Sequence, residues 1–194
     1  PYPHESIEFT RPAQRIHHAA QSLGYRPFAL PMALNFRDDS RPLCILCNTC
    51  DGYPCRIEAK NDLTATVLKR AQALGLEIRA GVIAVRLVAE AARVTRVECV
   101  DTATGQPQTF KAGRFIVAGG ALQTPALLLR SGLGESTPGG RWIGRRLMRH
   151  CNAVVTGVFR ERTNPEGTFH KQLCFTDFYD DLRDTLGTAT GTIQ

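Results

Sequence analysis

The run Phe115-Ile116-Val117-Ala118-Gly119-Gly120, followed by helix-forming residues from Thr124-Pro125 to Arg130, constrains this chain more than any other feature. It reads as a short buried strand that ends in two glycines and turns directly into a helix. Pro125 suits a helix start, and Gly132 lies just beyond the end. Small side chains at such a turn let a ligand approach the backbone, and the N–H groups of a helix start favour anions. By residue chemistry alone, the same string also serves as a tightly packed strand-to-helix turn.

The elements around this turn are legible from pattern. Arg11 to Leu23 predicts a helix with Pro12 near its start, a stripe of Ile16, Ala19/Ala20 and Leu23, and Gly24 as its stop. Tyr25 to Arg41 is Pro-rich and aperiodic and predicts ordered loop. A second helix is expected with Asn61 or Asp62 as cap, Leu63, Val67, Ala71 and Leu74 on one face, and Gly75 at its end. Glu77 to Val88 is rich in β-formers, Val94 to Asp101 predicts a further strand, Thr102 to Gly105 a turn, and Gln108 to Lys111 the return. The middle of the chain therefore reads helix, strand, antiparallel meander, strand, glycine turn, helix. Beyond Ser136, β-like stretches (Ala153 to Phe159, Gln172 to Phe178) alternate with turns.

Composition excludes several classes. The 194 residues carry 24 Lys and Arg against 18 Asp and Glu, a net charge of +6, with 43% apolar residues. That is the balance of a globular protein, not of a disordered chain or a coiled coil. No apolar run of about 18 residues is present to cross a membrane. The start, Pro1-Tyr2-Pro3-His4-Glu5, has neither the basic nor the apolar region of a signal peptide, and no initiator Met. The densest basic group, Arg141, Arg145, Arg146 and Arg149, has only Trp142 for an aromatic neighbour, so nucleic-acid binding is not expected. The histidines form no catalytic set: His17 and His18 are adjacent, do not share a helix face and read as surface residues. His150 reads as a structural hydrogen-bonding residue, and His170 has no evident partner. No nucleophile elbow is present, which argues against a hydrolase.

Of seven cysteines, Cys44, Cys47, Cys50 and Cys55 crowd into twelve residues. The spacing Cys-x2-Cys-x2-Cys-x4-Cys comes close to a ferredoxin run, but the last gap is one longer and Pro54 precedes the last Cys instead of following it. Thiolates this close could also hold zinc. The simpler readings are a loop of packed thiols, or one or two disulfides that clip the segment before the second helix. A small iron–sulfur or metal-binding electron-transfer module built on these four residues is thus the alternative to any reading based on the glycine turn.

The full string Gly120-Ala121-Leu122-Gln123-Thr124-Pro125-Ala126-Leu127-Leu128-Leu129-Arg130-Ser131-Gly132-Leu133-Gly134 resembles the second signature of the glucose–methanol–choline (GMC) family of FAD-dependent oxidoreductases at every specified position. Cys47 to Cys55 with Ala59-Lys60 is similar to the cysteine-bearing region of a bacterial branch of that family. Gly81 to Leu87 resembles the strand whose backbone meets the flavin's adenine. Ile143 to His150 resembles the step after the signature.

The resemblance implies a flavoprotein that oxidises a CH–OH group of an alcohol or sugar by hydride transfer to FAD. It implies an α/β (mixed α+β) fold: part of a FAD-binding Rossmann-like domain with an inserted β-meander, plus the beginning of a substrate domain. The expected division is a loop-rich segment with the cysteines at 1–60, part of the FAD-binding domain at 61–150, and the start of the substrate domain at 151–194. Ile83, Ala84 and Val85 would line the adenine pocket. Ala118, Gly119 and Gly120 would let the backbone approach the ribityl–pyrophosphate region. A small-molecule alcohol or sugar and an electron acceptor are the implied partners. The family's Gly-x-Gly-x-x-Gly turn has no match here, and its catalytic His is expected beyond Gln194, so no catalytic residue is assigned in this segment. An internal segment of a longer enzyme is expected, one that by itself holds FAD weakly or not at all.

Overall fold

A computed structural model describes residues 8–50, 52–150, 152–168, 171–181 and 183–194. The chain is mixed α/β and divides into two compact units, one formed by Pro1–Leu76 with Thr156–Gln194 and the other by Glu77–Val155.

In the first unit, helix α1 spans Arg11–Ser22, with Pro12 in its first turn and Gly24 at φ +85° just past its end. The expected apolar stripe is displaced. Ile16 and Leu23 are exposed, and the buried face is Ala13 and Ala20, with His17 half-buried between them. His17 is therefore not a simple surface residue: its ring lies 5.4 Å from that of Phe9. Small alanines permit the close approach, while Ile16 and Ala19 line an open groove with Phe159 and Pro165. Gln172, only 1% exposed, ties the entry of α1 to the rest of the unit. Its Oε1 accepts from the Thr10 N–H at 2.8 Å and its Nε2 donates to the Glu8 carbonyl at 3.3 Å.

The two-residue strands β1 (Phe28–Ala29) and, much later in the chain, β5 (Leu173–Cys174) pair antiparallel. The β-run expected over Gln172 to Phe178 shortens to β5, because Phe178 already opens the short helix α5 (Phe178–Asp181), which precedes α6 (Arg183–Leu186). Tyr25 packs on Phe175 and Phe178, with ring centroids 6.3 and 5.0 Å away.

Helix α2 is Val67–Ala73, shorter than the pattern predicts. Asp62 caps a preceding turn rather than the helix: its Oδ1 accepts from the Ala65 N–H at 2.9 Å and the Thr64 hydroxyl at 2.6 Å. The stripe residues Leu63, Val67 and Leu74 are exposed.

The second unit is built on the antiparallel meander β2 (Val82–Glu90), β3 (Arg93–Asp101) and β4 (Pro107–Lys111), with β3 in the centre. Asp101 organises the β3–β4 turn by accepting from the N–H groups of Ala103 and Thr104 and from the Thr104 hydroxyl at 2.9–3.0 Å. Helix α3 (Gly120–Arg130) packs on β2 and is followed by the short helix α4 (Leu133–Ser136) and a single tight turn at Gly140–Trp142. Leu87, Leu127 and Leu133 form the buried centre, with Ala84, Val94, Val97, Phe115, Val117 and Leu128 around it.

Two expected strands do not form. Phe115 to Ala118 is extended but pairs with no described strand. Phe115 and Val117 turn toward the core while Ile116 is 94% exposed. The period-2 alternation is present, and what is missing is a neighbouring strand to hydrogen-bond it. Ala153 to Phe159 is likewise without strand pairing among the described residues, and Val154, Val155 and Val158 stand exposed.

Candidate functional site

The glycine turn begins earlier than the Thr124-Pro125 signal indicates. Helix α3 starts at Gly120, which adopts φ +77°, and Pro125 lies inside it. Proline at that position removes the hydrogen bond to the Ala121 carbonyl, which lies on the exposed side of the first turn. The neighbouring Thr124 ties the turn instead, its hydroxyl accepting from the Gly119 N–H at 2.9 Å. No side chain caps the helix. Ala118, Gly119 and Gly120 are all exposed, so the first-turn N–H groups face open space with the positive end of the helix dipole behind them.

Strand β2 carries the second half of the predicted cofactor site. Among the described residues it is an edge strand, paired with β3 alone. Its ladder runs Ile83 to Val100 and Ala84 to Cys99, then resumes at Arg86 to Glu98, so Val85 is the extra residue of a β-bulge. The bulge resets the alternation. Ala84 and Leu87 both face the core, while Ile83 (57% exposed) and Val85 (36%) stand outward. A regular strand would have turned Arg86 inward instead. The bulge leaves Val85 without a partner residue on β3.

Both predicted stretches are held by the same core. Ala84 packs on the Leu87–Leu127–Leu133 cluster, which α3 completes. The clasp between them is Ser131, a residue not singled out from sequence. Its hydroxyl accepts from the Leu87 N–H at 2.8 Å on the free edge of β2 and donates to the Leu127 carbonyl at 2.6 Å. The only advance signal was its fixed place within the signature string.

The cysteine loop lies in the first unit and is pinched shut at its base by Asn35, 3% exposed and also missed from sequence. The Asn35 carbonyl accepts from the Cys44 N–H and its N–H donates to the Ala59 carbonyl, both at 2.7 Å. Its side-chain amide donates to the carbonyls of Asp38, Arg41 and Pro42. Lys60 Nζ reaches into the loop to the carbonyls of Cys50 (2.7 Å) and Tyr53 (3.0 Å). Two sulfurs accept backbone bonds, Cys44 from the Leu46 N–H at 3.4 Å and Cys55 from the Ala59 N–H at 3.2 Å. Cys47 contacts the Thr49 hydroxyl at 3.3 Å, which, with the Thr49 N–H and the Cys50 thiol, holds its pKa below the usual thiol value. Cys50 is pushed the other way, by burial first and by the neighbouring Cys47, against the pull of Lys60. Among the described residues no group of three or more His, Cys, Asp or Glu side chains is arranged to hold a metal ion. The electron-transfer module gains no support from this geometry.

His150 is exposed and makes no hydrogen bond to a described residue, contrary to its expected structural role. His4, His170 and Cys151 lie outside the described residues.

The profile of the GMC oxidoreductase family matches residues 4–152, a span that includes the cysteine loop, the meander and the glycine turn. The chain is 37% identical over 156 residues to 6'''-hydroxyparomomycin C oxidase of Streptomyces lividus, an alignment covering 76% of this chain and 28% of that protein. It is 33% identical over 156 residues to paromamine 6'-oxidase of Streptomyces fradiae, covering 77% of this chain and 29% of that protein. The chain thus matches less than a third of the length of these curated relatives. With that family match across most of its length, and relatives that are themselves oxidases, the chain belongs to the GMC oxidoreductases.

Proposed function

We propose that this chain supplies part of the FAD-binding domain of a flavoenzyme that oxidises a CH–OH group of a sugar-like alcohol. The observation that carries the reading is the bulge at Val85. It lies within the stretch that the resemblance assigns to the adenine, and it turns Ile83 and Val85 outward while Ala84 and Leu87 keep the core closed. The residues present fit the cofactor in two ways. Ile83 and Val85 offer an outward apolar surface on an edge strand, suited to an aromatic base. Ala118 and Gly120 offer exposed backbone at a helix start, with the Gly119 N–H between them held by the Thr124 hydroxyl, suited to a pyrophosphate.

FAD supplies, when bound, an acceptor for the hydride of the carbinol C–H. The part of this chain is to bind and orient. β2 fixes one end of the site, α3 the other, and Ser131 holds the spacing between them. The proton-accepting residue is assigned to a part of the protein outside this segment, and no side chain described here takes that role. The meander is read as an insertion in a Rossmann-like sheet, with 61–150 belonging to the cofactor domain, 151–194 opening the substrate domain, and 1–60 forming the loop-rich segment ahead of it. The names of the relatives, which mention hydroxyparomomycin C and paromamine, favour an amino-sugar-like substrate.

The test uses the full-length protein. It is expected to show two flavin absorbance bands, and Val85→Glu is expected to weaken FAD binding about tenfold or more, on the order of 1.4 kcal/mol, by placing an unpaired carboxylate against the base. Val85 is an outward residue, so the variant should unfold at the wild-type temperature when both are stripped of flavin. A colourless protein that added FAD cannot colour overturns the reading, as does a Val85→Glu protein that binds FAD like wild type.

A further inference from the structure

The geometry points to Cys47 and Cys50 as a dithiol redox site that exchanges with low-molecular-weight disulfides and closes to an intramolecular disulfide. Four observations carry it. The two residues stand in a Cys-x-x-Cys turn, Cys47-Asn48-Thr49-Cys50, and Cys50 is among the groups that hold the Cys47 thiol below its usual value. The other two sulfurs of the cluster accept bonds from local backbone outside this turn, Cys44 from the Leu46 N–H and Cys55 from the Ala59 N–H. The turn is held rather than free. Asn35 pins the base of the loop, Lys60 holds the Cys50 carbonyl, and Cys47 forms a β-bridge with Thr168. Finally, the two thiols differ in environment: Cys47 faces the Thr49 hydroxyl, which favours its thiolate, whereas burial and the neighbouring Cys47 push the Cys50 thiol up.

The roles follow. Cys47, as thiolate, attacks one sulfur of an external disulfide, forms a mixed disulfide and expels the first thiolate. Cys50, on losing its proton, attacks the Cys47 sulfur, forms the protein disulfide and expels the second thiolate. Two protein thiols are oxidised by two electrons, the external disulfide is reduced to two thiols, and the two protons end on those thiols. The reverse reaction regenerates the dithiol. None of this involves the proposed flavin site.

The experiment equilibrates the full-length protein with graded mixtures of reduced and oxidised glutathione, alkylates the remaining thiols, maps the peptides by mass spectrometry and measures bound iron and zinc. The expected result is a Cys47–Cys50 link that appears as the mixture becomes oxidising and is lost again on reduction. Cys50→Ser should trap glutathione on Cys47, while Cys47→Ser should leave Cys50 alkylatable throughout. Four sulfurs that stay alkylatable at every ratio overturn the proposal. So does a link through Cys44 or Cys55 instead, or cysteines masked by stoichiometric iron or zinc.

Discussion

Gly140 should be the least replaceable glycine in this chain, and its neighbour Gly139 among the most replaceable. A Cβ added at Gly140 would lie 1.9 Å from the Gly134 carbonyl oxygen, 2.5 Å from its carbon and 2.9 Å from the Thr137 hydroxyl. Contacts under 3.0 Å force something to shift, so the backbone of α4 or of the Gly140–Trp142 turn must move by at least 3.0 − 1.9 = 1.1 Å. The obstructing atom is a backbone oxygen, and no rotamer change relieves it. Overpacking of this kind costs about 1–3 kcal/mol, and a collision with backbone belongs at the upper end. A loss of about 3 kcal/mol lowers the ratio of closed to open forms on the order of 100-fold. Gly139, by contrast, has φ −92° and ψ −2°, which any residue adopts, and nothing within 4 Å of an added Cβ. Alanine there restricts the unfolded chain and should stabilise by about 0.4–1 kcal/mol. The assay is hydrogen exchange of the full-length protein, read on peptides spanning residues 126–146. Gly140→Ala should lose most of the protection in that segment, and Gly139→Ala should keep or raise it. Equal protection in Gly140→Ala and wild type would refute the packing argument, and so would equal damage from the two substitutions.

Two further outcomes follow from single contacts. Ser131→Ala leaves the part-buried Leu87 N–H without its partner and should cost about 1–3 kcal/mol in urea unfolding, whereas Ser131→Thr keeps the hydroxyl and should recover most of it. Asp101 accepts bonds from the Thr104 N–H and hydroxyl and the Ala103 N–H, which hold its carboxyl below the ordinary value of 3.8. Because the folded pKa is the lower one, the charge adds stability that is complete above the unfolded value and is lost as pH falls through the folded value. Asp101→Asn should therefore differ most from wild type at neutral pH and converge on it in acid, and a stability gap that persists unchanged below pH 3 would contradict the assignment.

The sequence patterns identified the elements better than their burial. The meander, α1 and the glycine turn follow from β-formers, a proline near a helix start and two adjacent glycines, all local signals. Burial is not local. Leu63, Val67, Ile116, Val154 and Val158 are written as core residues yet stand exposed. Hydrophobic periodicity says that a face is to be covered but not by which element. A strand such as Phe115 to Ala118 needs a hydrogen-bonding neighbour that no described strand of this chain provides. The same limit explains why Asn35 was missed. A buried asparagine that closes a loop has no signature apart from the loop it closes.

The bulge at Val85 marks where a local rule fails for a reason that bears on function. Strict alternation along Val82 to Val88 would put Ala84, Arg86 and Val88 on one face. The arginine would then have to enter the core beside Leu127, at a cost far above that of interrupting one ladder position. The chain resolves the conflict by inserting Val85 as an extra residue, so that Leu87 reaches the core and Arg86 does not. The insertion interrupts the ladder and leaves Val85 without a partner residue on β3. A free edge invites pairing with another chain unless something else occupies it. At Leu87 that something is the Ser131 hydroxyl, which takes the edge N–H. At Val85 no described side chain caps the strand, and the flanking Ile83 and Val85 turn their apolar surfaces outward. A planar base lying against those side chains would cover them. On the proposed reading, the bulge is a consequence of packing on one side of β2 and presents its other side to the cofactor.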